Sequence, residues 1–222
     1  MSFLDSLKKQ AQDIKQKEIN DETTTVATVG ADVRQQNAAI LNDILSFIHD
    51  YFKDLVDNLN VIKPDNEILF HMMGKGAAVN VDIDKVKKTN FQVTQGESVN
   101  GNRVVLKYDL YSPTGLSAKI KVTSYLEELR KNLKQHNIHY FETGPEHNMM
   151  TITLSNPFTS RFVYAADLDN CRIVLNLDNY DRPGPQLINY TPDKINEDLL
   201  DETAKFILGE SNKFSQMSEH YL

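Results

Sequence analysis

The sequence has few of the residues that build disulfide frameworks, phosphate loops or membrane spans. One cysteine among 222 residues excludes a disulfide framework and any metal site made of several cysteines. Nine glycines leave little material for glycine-rich loops that cradle phosphate groups. No apolar run approaches the ~18 residues of a transmembrane helix, and the N-terminus lacks the apolar stretch of a signal peptide. We therefore predict a cytoplasmic protein without a transmembrane segment.

Net charge, hydrophobic content and length exclude further classes of protein. There are 31 acidic and 24 basic residues, and the resulting formal net charge of −7 argues against a nucleic-acid-binding protein. Hydrophobic residues make up 40% of the chain, which excludes a disordered protein. A chain of this length buries roughly 70% of its unfolded surface and needs no covalent staples. The composition therefore indicates a globular, acidic protein.

The first thirty residues are predicted to form an arm. Apolar residues over 2–18 recur at spacings of three and four, which is typical of a short amphipathic helix. Its four lysines and three acidic residues give a net charge of +1, which favours docking on a protein over peripheral contact with a membrane. A threonine-rich stretch over 20–30 breaks the helical period, and we interpret it as a flexible linker. The predicted organisation is an arm over 1–30 and a single α+β domain over 31–222.

Three helices are predicted in this domain. The longest covers about 33–60, because Asp32 is a suitable N-cap and no glycine or proline interrupts the chain until Pro64. A middle helix over about 125–136 and a C-terminal helix over about 193–208 follow from apolar residues at spacings of three and four.

Between the helices the apolar period changes to two, which is typical of strands. An isolated strand at 68–73 precedes two groups of three strands, the first over 91–99, 102–111 and 116–123 and the second over 148–155, 160–168 and 171–178. Short turns between strands imply antiparallel pairing. The predicted fold class is α+β, with antiparallel sheets of six to eight strands in two βββ groups packed against the three helices.

Two hairpins have a predicted register. Asn100-Gly101 is a strong signal for a two-residue turn, which would place Val93 opposite Tyr108. A turn at 169–170 gives the second hairpin a register that matches both charge and apolarity: Arg161 opposite Asp178, Arg172 opposite Asp167, and Tyr164 opposite Leu175.

Motifs for catalysis, cofactors or metals are missing from the sequence. Gly74-Lys75-Gly76 lacks the upstream glycine of a P-loop, because Leu69 stands in its place. The sequence around Ser117 lacks the second glycine of a nucleophile elbow, and Cys171 has no neighbouring catalytic signature and is predicted to be buried. We therefore predict no catalytic, cofactor-binding or metal-binding residue, and the absence of these motifs favours a protein that is not an enzyme.

The histidines leave one alternative open. His136, His139 and His147 lie close in sequence, but their spacing matches no standard zinc motif. A site assembled from residues distant in sequence would still escape motif analysis. Its first candidates are these three histidines together with His71, Tyr108 and Tyr164.

The apolar face of helix 33–60 is wider than a single core requires. One seam consists of Leu41, Leu45, Ile48, Phe52, Leu55 and Leu59. A second seam beside it consists of Ile40, Ile44, Phe47 and Tyr51. Together they span roughly 180°, whereas a helix covering one core needs a little over ~100°. We predict that the first seam packs on the protein's own sheet and the second on another copy or a protein partner; alternatively, the sheet or the N-terminal helix covers both.

From residue 33 onward, the order helix, strands, helix, strands, helix and the acidic composition resemble the type III secretion chaperones. The resemblance covers most of 33–208, and the leading helix and linker are extra to it. It implies a homodimer that binds extended segments of other proteins. Our functional hypothesis is a non-enzymatic, intracellular, chaperone-like interaction module that self-associates through helix 33–60. The alternative is a small-molecule-binding protein or an enzyme whose site is assembled from residues distant in sequence.

Overall fold

The structure is a computed structural model that describes residues 3–65, 67–72, 84–98, 101–122 and 124–217, with the side chains of 3–31 outside that description. Its elements are α1 (Phe3–Ile62), β1 (Glu67–Phe70), β2 (Asp84–Ser98), β3 (Gly101–Tyr111), β4 (Leu116–Lys121), α2 (Ser124–Gln135), β5 (Tyr140–Glu146), β6 (Met149–Leu154), β7 (Phe158–Asp167), β8 (Arg172–Asp178), β9 (Pro185–Tyr190), α3 (Glu197–Leu208) and the single turn α4 (Phe214–Met217). The predicted α+β class with antiparallel sheets is confirmed. In the described part of the chain, no helix combines the length and apolarity needed to cross a membrane.

Helix α1 is twice as long as predicted. It continues from Phe3 to Ile62 without interruption, so the predicted break over 20–30 is wrong. Threonine and valine lower helix propensity only slightly, and the single Gly30 costs about 1 kcal/mol, so local composition does not end the helix. Because the side chains of 3–31 lie outside the description, the separation of an arm over 1–30 from the domain stays a prediction.

A six-stranded antiparallel sheet carries most of the core. Its strand order is β1-β2-β3-β7-β8-β9. Alternate residues point to the face that α1 and α3 cover, here called the inner face, and they are buried there: Val104, Leu106, Tyr108 and Leu110 of β3, Phe162 and Tyr164 of β7, and Ile173, Leu175 and Leu177 of β8. Residues of the first α1 seam complete this core: Leu41, Leu45, Ile48, Phe52 and Leu59 are buried and Leu55 is half-buried.

A second sheet of three strands, in the order β4-β6-β5, is packed with α2. The third strand of the first predicted group, β4, pairs with β6 of the second group and not with its neighbour β3. The chain passes between the two sheets twice, from β3 to β4 and from β6 to β7. At this corner the last pair of the large sheet is Leu110 with Phe158, and the first pair of the small sheet is Leu116 with Leu154. The two sheets are therefore linked by one bent pair of antiparallel strands.

The β7–β8 hairpin has the predicted register. Arg161 lies opposite Asp178, Arg172 opposite Asp167, and Tyr164 opposite Leu175. Both predicted ion pairs form, with Arg172 Nε 2.7 Å from an Asp167 carboxylate oxygen. Cys171 is in the turn at the end of this hairpin, with a positive φ of 46°, and is only partly buried, so its predicted place in the buried face of the strand is wrong.

The β2–β3 hairpin is shifted by two residues from its predicted register. Val93 lies opposite Leu106 and not opposite Tyr108, and the last pair is Ser98 with Gly101. Residues 99 and 100, between these two paired positions, lie outside the described residues. A shift of two keeps each side chain on its predicted face, so the alternation remained correct although the turn was misplaced.

The C-terminal helix begins four residues later than predicted. Residues 192–194 form a short 3-10 turn, and α3 begins after Asn196, whose side chain accepts a hydrogen bond from the Leu199 N–H. Asn196 is thus the N-cap, because its oxygen satisfies an N–H that has no partner inside the helix. The helix ends at Gly209, as predicted, with a left-handed φ of 73°.

Candidate functional site

The outer side of α1 carries a strip of exposed apolar side chains. Val33, Ile40 and Phe47 are 48%, 46% and 41% exposed. Each is seven residues from the next, so they lie in a line along the helix. We call these three residues the outer strip. The sequence prediction included Ile40 and Phe47 but missed Val33, which lies one heptad before the apolar stretch that defined the seam.

The other two residues of the predicted second seam contact the protein itself. Ile44 is partly buried against the core. The Tyr51 hydroxyl donates a 2.6 Å hydrogen bond to Asp201 of α3. Burial, followed by this bond, raises the pKa of Tyr51 above its usual range. Helix α3 therefore covers part of the second seam, and the outer strip stays exposed.

A cleft of about 650 Å³ lies on the outer face of the large sheet, opposite the face that α1 covers. Side chains of β2, β3 and β7 form the floor of the cleft. In one row across these strands, Gln92 lies opposite Lys107, and Lys107 lies opposite Arg161. Arg161 is paired with Asp178, its Nε lying 3.2 Å from that carboxylate. Lys107 makes no hydrogen bond or ion pair with any residue that the structure describes. Two like charges directly opposite each other in a sheet cost about 0.2–1 kcal/mol.

A second row of the floor holds the only carboxylate among the described residues that line the cleft. The two oxygens of Asp109 accept hydrogen bonds from Asn90 Nδ2 at 2.9 Å and from Thr159 Oγ1 at 3.2 Å. Asn179, at the edge of the floor, is buried and donates to the Thr159 carbonyl. Asp109 is therefore occupied by bonds that join β2, β3 and β7.

The connection from α2 to β5 forms the roof of the cleft. Asn137 has a positive φ of 55°, and the Ile138 N–H closes the helix by donating to the Leu133 carbonyl at 2.9 Å. The His139 carbonyl accepts from the Ser155 N–H at 2.8 Å, which fixes the connection to the strand corner. His136 and His139 both line the cleft.

The structure brings together only part of the predicted alternative site. His147 is exposed in the β5–β6 turn, away from the described lining of the cleft. Tyr108 lines the cleft together with His136 and His139, although its side chain is buried. Tyr164 is buried on the inner face, burial raises the pKa of both tyrosine hydroxyls, and His71 follows β1. No cluster of three or more potential metal ligands occurs within the described ranges.

Lys88 is an unusual buried lysine that the sequence prediction did not identify. Its side chain is 4% exposed on the inner face of β2, and its ammonium lies 6.0 Å from the centre of the Tyr180 ring. Its Nζ has no hydrogen-bond partner among the described residues. Burial lowers the pKa of Lys88 to about 7.

Gly184 allows the β8–β9 connection to approach the cleft roof. Its φ is +105°, and a Cβ at this position would lie 3.0 Å from His136 Nε2. We expect Gly184→Ala to displace the His136 ring and to lower the free energy of unfolding by about 1–3 kcal/mol. Urea unfolding and the imidazole NMR signals of His136 measure the two effects.

Gly115→Ala is the matched control for Gly184→Ala. Gly115 also has a positive φ, +79°, but a Cβ there would have no atom within 4 Å. It therefore tests backbone strain without the steric contact. Equal losses of stability, with unchanged His136 signals, would show that the contact between Gly184 and His136 is unimportant.

Comparison with protein-family models, with curated proteins and with solved structures finds no match for this chain. The function is therefore inferred from the geometry of the outer strip and the cleft. The two lie on opposite sides of the large sheet, so they can be tested separately.

Proposed function

We propose that this chain is an intracellular protein-interaction module that self-associates through the outer strip of α1. One observation supports this proposal above the others. Val33, Ile40 and Phe47 stay 41–48% exposed on a helix whose first seam packs on the large sheet. A contiguous apolar strip on a protein surface commonly marks a contact with another protein.

The seven-residue spacing supports a second helix as the occupant of the strip. Apolar residues that recur every seven positions lie along one line of a helix and supply one of the two apolar positions per heptad in a two-helix seam. The sequence continues the same spacing upstream, with Val26 and Ile19. A second copy of α1 presents this same pattern, and two-fold contacts between identical surfaces are the commonest form of oligomer.

The charges beside the strip give the association an expected salt dependence. Asp43, Asp50 and Asp54 are exposed on the same helix. In a dimer formed by two copies of α1, these carboxylates repel one another, and salt screens the repulsion. The dimer should therefore strengthen with added salt, whereas a complex with a basic partner would weaken.

A chaperone-like role is the more specific form of the proposal. It rests on the resemblance of element order and acidic charge to the type III secretion chaperones, whose members are homodimers that bind extended protein segments. Fold analogy alone does not establish function. The self-association is therefore the part that is tested first.

Phe47→Glu should convert the native dimer to a folded monomer. Enclosing an unpaired carboxylate in an apolar contact costs several kcal/mol, which exceeds what such a contact gains from one aromatic side chain. Light scattering coupled to size-exclusion chromatography should report half the native mass, with an unchanged circular dichroism spectrum. Ile40→Glu should have the same effect.

Ser46→Glu is the matched control. Ser46 precedes Phe47 and is exposed, but it lies about 100° away around the helix, outside the strip. It should leave the mass unchanged. The proposal is wrong if the unmodified protein is already monomeric at tens of micromolar, or if Phe47→Glu and Ser46→Glu have the same mass.

A further inference from the structure

We infer that the cleft between the outer sheet face and the α2–β5 connection binds a small oxyanion, where Lys107 lies beside Arg161 beneath His136 and His139. The ligand class is a phosphate monoester or a small polycarboxylate, since both present several negatively charged oxygens. This inference does not depend on self-association, because α1 covers the opposite face of the sheet.

The lining of the cleft is rich in hydrogen-bond donors. Lys107 supplies an ammonium, Arg161 a guanidinium, and Gln92 a side-chain amide. His136 and His139 line the same cleft. A ligand that accepts many hydrogen bonds and carries negative charge is complementary to this set of groups.

Two carboxylates lie near these donors, and each is already engaged in a way that leaves donors free. Both oxygens of Asp109 already accept hydrogen bonds from Asn90 and Thr159. Asp178 binds Arg161 through Nε and one terminal nitrogen, which leaves the Arg161 Nη1 without a described partner. Lys107 has no partner in the described part of the chain. An oxyanion between Lys107 and Arg161 would relieve their repulsion and use both free donors.

The size and setting of the cleft fit a small molecule. A volume of about 650 Å³ falls within the range of about 300–1,000 Å³ that is usual for ligand sites. Lys107 and Arg161 are a local pair of basic groups in a chain with net charge −7, so a nucleic acid would meet repulsion outside the cleft. These two features favour a compact anion over a polymer.

Titration of the full chain with inorganic phosphate and with citrate tests this inference. Isothermal calorimetry measures affinity, and ¹H–¹⁵N NMR shifts locate the binding. We expect saturable binding of at least one of the two probes, with shifts at Lys107, Arg161 and the 136–139 connection. Lys107→Met should weaken that binding by about ten- to a hundredfold, as expected for loss of one charge-assisted hydrogen bond.

Lys119→Met is the matched control, because Lys119 is an exposed lysine on β4 that does not line the cleft. It should bind both probes as the unmodified protein does. Tighter binding of phosphate would identify a phosphoryl ligand, and tighter binding of citrate a carboxylate ligand. Non-saturable binding, or equal affinity in Lys107→Met and Lys119→Met, would overturn the inference. The mass in light scattering should be unchanged in both variants, so failure here is separate from failure of self-association.

Discussion

Lys88→Met should raise the free energy of unfolding at pH 7 by roughly 2–5 kcal/mol, the largest stabilisation we expect from one substitution. The Lys88 side chain is 4% exposed, and its ammonium has no hydrogen-bond partner among the described residues. Burial lowers its pKa from 10.5 to about 7, so folding costs free energy whenever the unfolded chain holds the proton. Methionine has a similar shape and no charge to bury.

The effect of Lys88→Met should depend on pH. Between about pH 7 and 10.5 the unfolded chain binds more protons at Lys88 than the native protein does, so stability rises with pH across this window. The cost of burying the amine is fully present below about pH 7 and is relieved as the pH approaches 10.5. The advantage of the methionine variant should therefore shrink to about 1 kcal/mol near pH 10. Urea unfolding of both proteins at pH 7, 8, 9 and 10 measures this difference.

Lys87→Met provides the control for Lys88→Met. Lys87 is the preceding residue on the opposite face of β2, where it forms an ion pair with the exposed Asp65. Its replacement should lower stability slightly and should not reproduce the pH dependence. A loss of stability in Lys88→Met at pH 7 would show that the native protein pairs the ammonium, and the prediction would be wrong.

The burial of Lys88 illustrates why sequence periodicity did not predict which residues of β2 face the core. Before residue 89 the inward residues are even-numbered, Val86 and Lys88, whereas Phe91 and Val93 are the inward residues after it. A β-bulge between residues 89 and 92, with Asn90 at a positive φ of 55°, switches the face. Lysines followed by an irregular period resemble a solvated segment, so no pattern in the sequence places one of them in the core.

The strands that were predicted well have two independent signals. The β7–β8 hairpin was correct because one register matched opposite charges on the outer face and apolar residues on the inner face. Strand β5 was missed because six of its seven residues are exposed, which removes the apolar alternation. Strand β9 is absent from the prediction; it begins at Pro185, and proline is confined to strand starts, edges and bulges.

The candidate sites depended on tertiary structure to different degrees. The outer strip was partly predictable, because Ile40 and Phe47 follow from helical periodicity alone. The covering of Tyr51 by α3 depends on a contact with Asp201, 150 residues away. The cleft unites Lys107, Arg161 and His136 from three separate elements, and no local spacing connects them.

The Asn156 side chain joins the two chain segments at the corner between the sheets. The Ser112 N–H donates to Asn156 Oδ1 at 3.0 Å, and Asn156 Nδ2 donates to the Ser112 carbonyl at 2.6 Å. Ser112 is buried beneath Asn156, which is itself exposed, so water can partly replace these bonds once the amide is removed. Asn156→Ala deletes two hydrogen bonds at the corner, and we expect a loss of about 1–3 kcal/mol in the free energy of unfolding. Urea denaturation measures it.

The same substitution at Asn58 controls for the loss of an asparagine side chain. Asn58 is exposed on α1 and donates to the Asp54 carbonyl, which water can reach, so Asn58→Ala should change stability little. Because the corner joins two continuous paired strands, Asn156→Ala should lower amide protection in β4 and in β7 together. Faster exchange in β4 with unchanged protection in β7 would contradict this, since the small sheet would then unfold independently of the large one.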